Sequence, residues 1–206
     1  GPLAGRMIDR HGGRDILAGT NIVFAVGLAL LSQATGPVTL IAAWVVLGVG
    51  MGFGLYEAAF ATAAGLYGRE ARNAITGITL FAGFASTVGW PASAFFIDTF
   101  GWRGACLAWA ALHLILGLPL NRLLVPKSKP HPPEAMAHDR GAPSGVPWTM
   151  IVLAGVFGAT WFVSTALAAH LPRLLEALGA TSALAIAAAS LVGPAQVAAR
   201  LVEFAL

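Results

Sequence analysis

Charge is scarce in this chain, and the stretches between charges are long enough to cross a lipid bilayer. Six uncharged or nearly uncharged stretches stand out: Ile16 to Ala34, Val38 to Tyr67, Asn73 to Ile97, Gly104 to Val125, Pro147 to Leu171 and Thr181 to Ala199. A helix rises about 1.5 Å per residue, so about 20 residues cross a hydrocarbon core of about 30 Å. Lipid offers the backbone no hydrogen-bond partner, so each stretch must satisfy its own N–H and C=O groups as a helix. None of the stretches alternates polar and apolar residues at period two, which argues against a closed strand barrel. The expected fold is all-α and integral to the membrane, with six transmembrane helices.

Composition points the same way. Charged residues make up 10% of the chain and apolar residues 57%, whereas a soluble domain carries about 25% charge to solvate its surface. The formal charge of +3 reflects basic loops and implies no nucleic-acid partner. The single cysteine, Cys106, lies in an apolar stretch; it excludes an intrachain disulfide and offers no metal cluster, and no cofactor is expected. Arg outnumbers Lys ten to two, and Ala and Gly abound, as in proteins from GC-rich bacterial genomes.

The interruptions carry turn chemistry at Gly36-Pro37, Gly68-Arg69-Glu70, Phe100-Gly101-Trp102-Arg103 and Gly179-Ala180. Residues 126–146 are rich in Pro and charge with little to bury, which predicts a linker. It separates an N-terminal bundle over 1–125 from the start of a second bundle over 147–206. Basic residues set the orientation. One side collects Arg6, Arg10, Arg14, Arg69, Arg72, Arg122, Lys127, Lys129, Arg140 and Arg200; the other receives Arg103 and Arg173. Ten against two predicts that the N-terminal loop and the linker are cytoplasmic, in the inner (plasma) membrane of a bacterium.

Residues 5–14 read GRMIDRHGGR. The spacing of Gly5, Asp9, Arg10, Gly12 and Arg14 resembles the signature loop between the second and third spans of the major facilitator superfamily. Gly13 departs from the pattern, standing where the family usually has another basic residue. Each position has a physical reason. Gly5 lets helices approach closely, and Gly12 permits the reversal into the next helix. Asp9 can accept hydrogen bonds at a helix N-terminus or pair with an Arg of a neighbouring span. Arg10 and Arg14 can meet acidic groups or carbonyl ends. The resemblance implies a partial two-bundle fold that runs from the loop after the second span to the eighth span. It also implies that the linker divides the sixth and seventh spans. Gly1-Pro2 recurs as Gly193-Pro194, with Arg6 and Arg200 following, a faint echo of two parallel halves.

Glu57 is the charged residue deepest within a span. It lies ten residues from Tyr67, roughly 15 Å along a helix. A carboxylate at that depth costs about 3 kcal/mol or more unless it is paired, protonated or wetted. It is therefore a candidate proton or cation site, with a structural ion pair to an Arg of another span as the alternative. Tyr56 beside it is a candidate cavity residue or a packing residue. Gly48, Gly50, Gly52 and Gly54 form two interleaved G-x-x-x-G faces, read as helix-packing surfaces; no strand precedes them, so they are not a nucleotide loop. Pro91, closing GFASTVGWP, predicts a kink. It faintly resembles the Gly-Pro motif of the superfamily's proton antiporters, but the order here is Gly89-Trp90-Pro91. Trp161, Ser164 and Thr165 fall in a stretch that the resemblance makes cavity-lining; such hydroxyls either bind substrate or bond their own backbone. His113 is read as a satisfied neutral histidine in preference to a proton relay, and Asn21 and Gln196 are read in the same way.

The function expected from this is secondary active transport of a small solute by alternating access, coupled to protons as symport or antiport. The expected partners are that solute, protons and the lipid bilayer. One alternative is an inert truncated fragment. A membrane-embedded enzyme is disfavoured, since one Glu and His113 supply neither a nucleophile with its base nor a metal constellation.

Overall fold

A computed structural model describes residues 2–127 and 148–205, and every regular element among them is helical. The helices are α1 (Pro2–His11), α2 (Gly13–Ser32), α3 (Pro37–Gly54), α4 (Tyr56–Tyr67), α5 (Ala71–Gly83), α6 (Ala85–Leu112), α7 (Leu118–Leu124), α8 (Trp148–Ala177), α9 (Ser182–Ser190) and α10 (Val192–Ala205). A short 3-10 turn at Gly68–Glu70 precedes α5, and a π-helical turn at His113–Gly117 joins α6 to α7. Most of the linker expected at 126–146 lies outside the described residues.

Four helical runs are long and apolar enough to cross a membrane: Gly13–Ser32, Pro37–Leu124, Trp148–Ala177 and Ser182–Val202. The second run is 88 residues long, covers three of the six expected stretches and comprises α3 to α7. Contacts within the run show where it turns. Trp109 Nε1 donates to Ser93 Oγ at 3.1 Å, although 16 residues of straight helix would hold them roughly 24 Å apart. The chain reverses between them at Gly101, whose φ of 69° is costly for any residue with a Cβ. The positive-φ glycines Gly12, Gly68 and Gly179 stand at other expected interruptions. Pro91 lies within helical residues of α6, and the non-helical dihedrals of that helix fall on Gly101 instead.

The chain divides into two compact units, Gly1–Ala82 with Ala92–Glu134 and Gly83–Pro91 with Ala135–Leu206. In the first, α2 is the central element. It packs against α3 and α4, which run antiparallel to it, and against α7. The α2–α3 seam is a ladder of large residues set against glycines. A Cβ on Gly27 would sit 2.7 Å from Leu47 Cδ2, one on Gly50 3.1 Å from Phe24, and one on Gly54 2.7 Å from Thr20 Oγ1. Without a hydrophobic drive between helices in lipid, such close van der Waals contact supplies the association. A Cβ on Gly48 or Gly52 would meet nothing within 4 Å. Further along α2, a small apolar core of Ile8, Leu17 and Ala58 ties α1, α2 and α4 together.

In the second unit, α9 packs on α8 and α10. Gly83 and Gly193 meet so closely that a Cβ on either would strike Val197 or the Gly83 carbonyl. Thr87 Oγ1 donates to Ser190 O at 3.1 Å across that contact. No residue of α8 is buried. Phe81, Val38, Leu123, Trp148 and Phe162 are each exposed by 74% or more, and large apolar patches of this kind on a helical surface mark contact with lipid or protein.

Candidate functional site

Glu57 occupies the first turn of α4. The helix begins there because Leu55, with φ −91° and ψ −165°, is extended and breaks the run from α3. Ala58 N–H and Ala59 N–H both donate to Leu55 O at 3.1 Å, closing the new first turn. A helix N-terminus carries partial positive charge, so this break favours a carboxylate where a continuous helix would not. Glu57 is exposed and borders an open cleft of about 240 Å³ whose other lining residues are Ala4, Gly5, Ala58 and Ala61. Apart from Glu57, the side chains that line this cleft are small. Tyr56 sits beside it, its ring centroid 5.5 Å from that of Phe60.

The glycine-rich loop motif and Glu57 therefore share a region of the first unit. Gly5 lines the cleft, and a Cβ there would meet nothing within 4 Å; its small size leaves the cleft open instead of drawing two helices together. Gly12 has φ 82° and its N–H donates to Ile8 O at 2.8 Å, which ends α1 and turns the chain into α2. Gly13 follows with the Thr62 side chain pressed where a Cβ would stand. Asp9 and Arg10 are exposed.

The ion pairing at this end of the unit uses a carboxylate that sequence reasoning passed over. Asp15, in the first turn of α2, accepts from Arg14 Nε at 3.2 Å and from Arg122 Nη1. The available signal was an acidic residue two positions after Gly13, in the first turn of a helix, where negative charge is favoured. At the opposite end of α2, Arg103 donates from Nη2 to Ala34 O at 3.0 Å and lies 4.2 Å from the Trp102 ring centroid. It thus holds one carbonyl two residues beyond the end of α2, near the helix C-terminus, where a cation is favoured.

Asn21 and His113 are also brought together. Asn21 is 6% exposed, its Nδ2 donates to Leu17 O at 2.8 Å, and its Oδ1 lies 3.0 Å from His113 Nδ1.

Trp161, Ser164 and Thr165 are exposed on α8 in the second unit, and Tyr56 and Glu57 belong to the first. Thr165 Oγ1 donates to Trp161 O at 2.8 Å and Thr160 Oγ1 to Val156 O at 2.9 Å, the back-bonding that hydroxyls adopt in apolar helices. Among the described residues no group of three or more His, Cys, Asp or Glu is placed to hold a metal ion.

No curated protein and no solved structure gives a match to this chain. The family model for the Major Facilitator Superfamily, a family of membrane transporters, matches residues 1–203, and the chain therefore belongs to that superfamily.

Proposed function

We propose that the protein is a secondary active transporter that moves a small solute by alternating access and binds its coupling proton at Glu57. The observation that carries this reading is the carboxylate at a helix break, in the first turn of α4, facing an open cleft walled by Ala4, Gly5, Ala58 and Ala61. A charge so placed is held by the helix N-terminus while it is ionised, and protonation removes that attraction. Loading or releasing one proton thus changes the charge at the start of α4, on a cleft that Ala4 and Gly5 of α1 also line. Such a local charge change can bias two global states of a rocking transporter.

On this reading the chain crosses the inner membrane of a bacterium six times. The antiparallel course of α3 and α4 along α2 and the reversal at Gly101 support that count. The loop at residues 5–14 and the linker at 126–146 are cytoplasmic, and the linker joins a bundle over 1–125 to one that begins at 147. Gly5, Asp9, Arg10, Gly12 and Arg14 form a gating loop; Tyr56 of the first unit and, each by itself, Trp161, Ser164 and Thr165 of the second are candidates for contact with the solute.

The test is reconstitution of the protein in liposomes. Solute-driven proton movement is recorded for wild type and Glu57→Gln over a panel of lipophilic cations and small carboxylates. Proton movement that one solute elicits and that the folded variant loses supports the coupling role. Unchanged coupling in the variant assigns Glu57 to structure alone.

A further inference from the structure

The Asn21–His113 contact has a direction that its surroundings dictate. Leu17 O can only accept hydrogen bonds, so the Asn21 atom 2.8 Å from it is the NH₂ nitrogen. The atom facing His113 is then the amide oxygen, also purely an acceptor, 3.0 Å from Nδ1. Nδ1 must carry the proton, which leaves Nε2 of the neutral ring as a base. The amide cannot turn round without setting its own oxygen against Leu17 O, one acceptor against another. The surroundings are built to this arrangement. A Cβ on Gly117 would strike Asn21 Oδ1, so the glycine makes room for the amide. The π-helical turn His113–Gly117 inserts a residue here, a device concentrated at functional sites. Phe24 stacks on the imidazole, with centroids 5.0 Å apart and planes inclined by 21°.

We infer that His113 is a proton-binding site, at which Nε2 takes up a proton while Asn21 Oδ1 and the Phe24 face hold the resulting imidazolium. The step is acid–base only: Nε2 takes a proton from a hydronium ion, one N–H bond forms as one O–H bond breaks, a water molecule is left, and the positive charge passes to the ring. Nδ1–H keeps its partner, and its bond to Asn21 becomes charge-assisted and stronger. The aromatic face adds attraction for a cation.

The charged groups on the helices packed against this turn are Arg14 and Asp15 on α2 and Arg122 on α7. They meet one another at the far end of the unit. Asp15 is six residues from Asn21, roughly 9 Å along the helix. On the arm leading into His113, Arg103 is engaged with Ala34 O and Cys106 lies seven residues away. The cation is therefore held by a neutral amide and a ring, with no carboxylate of α2 or α7 beside it. This site is separate from Glu57, and its test reads the histidine proton itself, so failure of either assignment leaves the other standing.

The experiment is nitrogen NMR of the ¹⁵N-histidine-labelled full chain in lipid nanodiscs, with His113→Gln assigning the resonance. Spectra are taken between about pH 5 and 8, the range in which histidine changes charge. The expected result is an Nδ1–H tautomer at the upper end and a doubly protonated ring at the lower end. At a fixed intermediate pH, Asn21→Leu is expected to lower the imidazolium fraction by about threefold or more. The near-isosteric Asn21→Asp is expected to raise it, and serves if the leucine variant does not fold. An Nε2–H neutral tautomer, a ring that stays neutral across the range, or an unaltered proton occupancy in Asn21→Asp overturns the assignment.

Discussion

Asp15 in the first turn of α2 and Arg122 in the last turn of α7, 107 residues apart in sequence, form an ion pair. Together with Arg14, the pair fastens the start of one long helix to the end of another. Both side chains are about half exposed, 51% for Arg122 and 50% for Asp15, so solvent screens most of their attraction. An exposed pair of this kind contributes roughly 0.2–1 kcal/mol. A double-mutant cycle of Asp15→Asn and Arg122→Gln, read by thermal unfolding in nanodiscs, is expected to give a coupling energy in that range that shrinks as salt is added. A coupling of several kcal/mol would mean that the pair is shielded from solvent.

The two glycine faces of α3 are expected to respond oppositely to a methyl group. Gly54→Ala sets a Cβ 2.7 Å from Thr20 Oγ1 and 3.0 Å from Phe24, and overpacking of that kind costs about 1–3 kcal/mol. Gly48→Ala and Gly52→Ala meet nothing within 4 Å. They gain helix propensity, up to about 1 kcal/mol. Melting temperatures of the three variants check this; equal losses in all three would mean that the open face is also packed.

Gly117→Ala drives a methyl group into Asn21 Oδ1 and is expected to lower stability by about 1–3 kcal/mol. Asn21→Ala removes the obstructing oxygen. The double variant is therefore expected to be more stable than the sum of the single effects by about 0.5–3 kcal/mol, as for residues in contact. Strict additivity would separate Gly117 from the Asn21–His113 pair.

Ser86 Oγ in the second unit is buried with no hydrogen-bond partner among the described residues. Ser86→Ala removes a desolvated hydroxyl and is expected to leave stability unchanged or to raise it. Thr87→Val, one residue on, breaks the bond to Ser190 O and is expected to cost about 0.5–1.5 kcal/mol. Denaturation of the two variants side by side tests the contrast, and a loss for Ser86→Ala would show that its hydroxyl is engaged in the folded protein.

The class of the fold was legible in the sequence because the governing physics is local. A run of apolar residues must satisfy its backbone as a helix wherever it lies in lipid. A reversal with positive φ selects glycine at Gly12, Gly68, Gly101 and Gly179 whatever packs around it. The same local reasoning singled out Glu57, one carboxylate in a long apolar stretch, and the spacing of residues 5–14 that marks the superfamily. Pairing across helices is not local. Which carboxylate meets Arg122, which α3 glycines touch α2 and which amide faces His113 depend on the rotation and register of antiparallel helices. That register is set by contacts such as Leu47 in the notch at Gly27. The sequence shows that Asp15, Asn21 and Phe24 exist; only the packed bundle decides that Asp15 is held by Arg122, and that Asn21 and Phe24 hold the ring of His113.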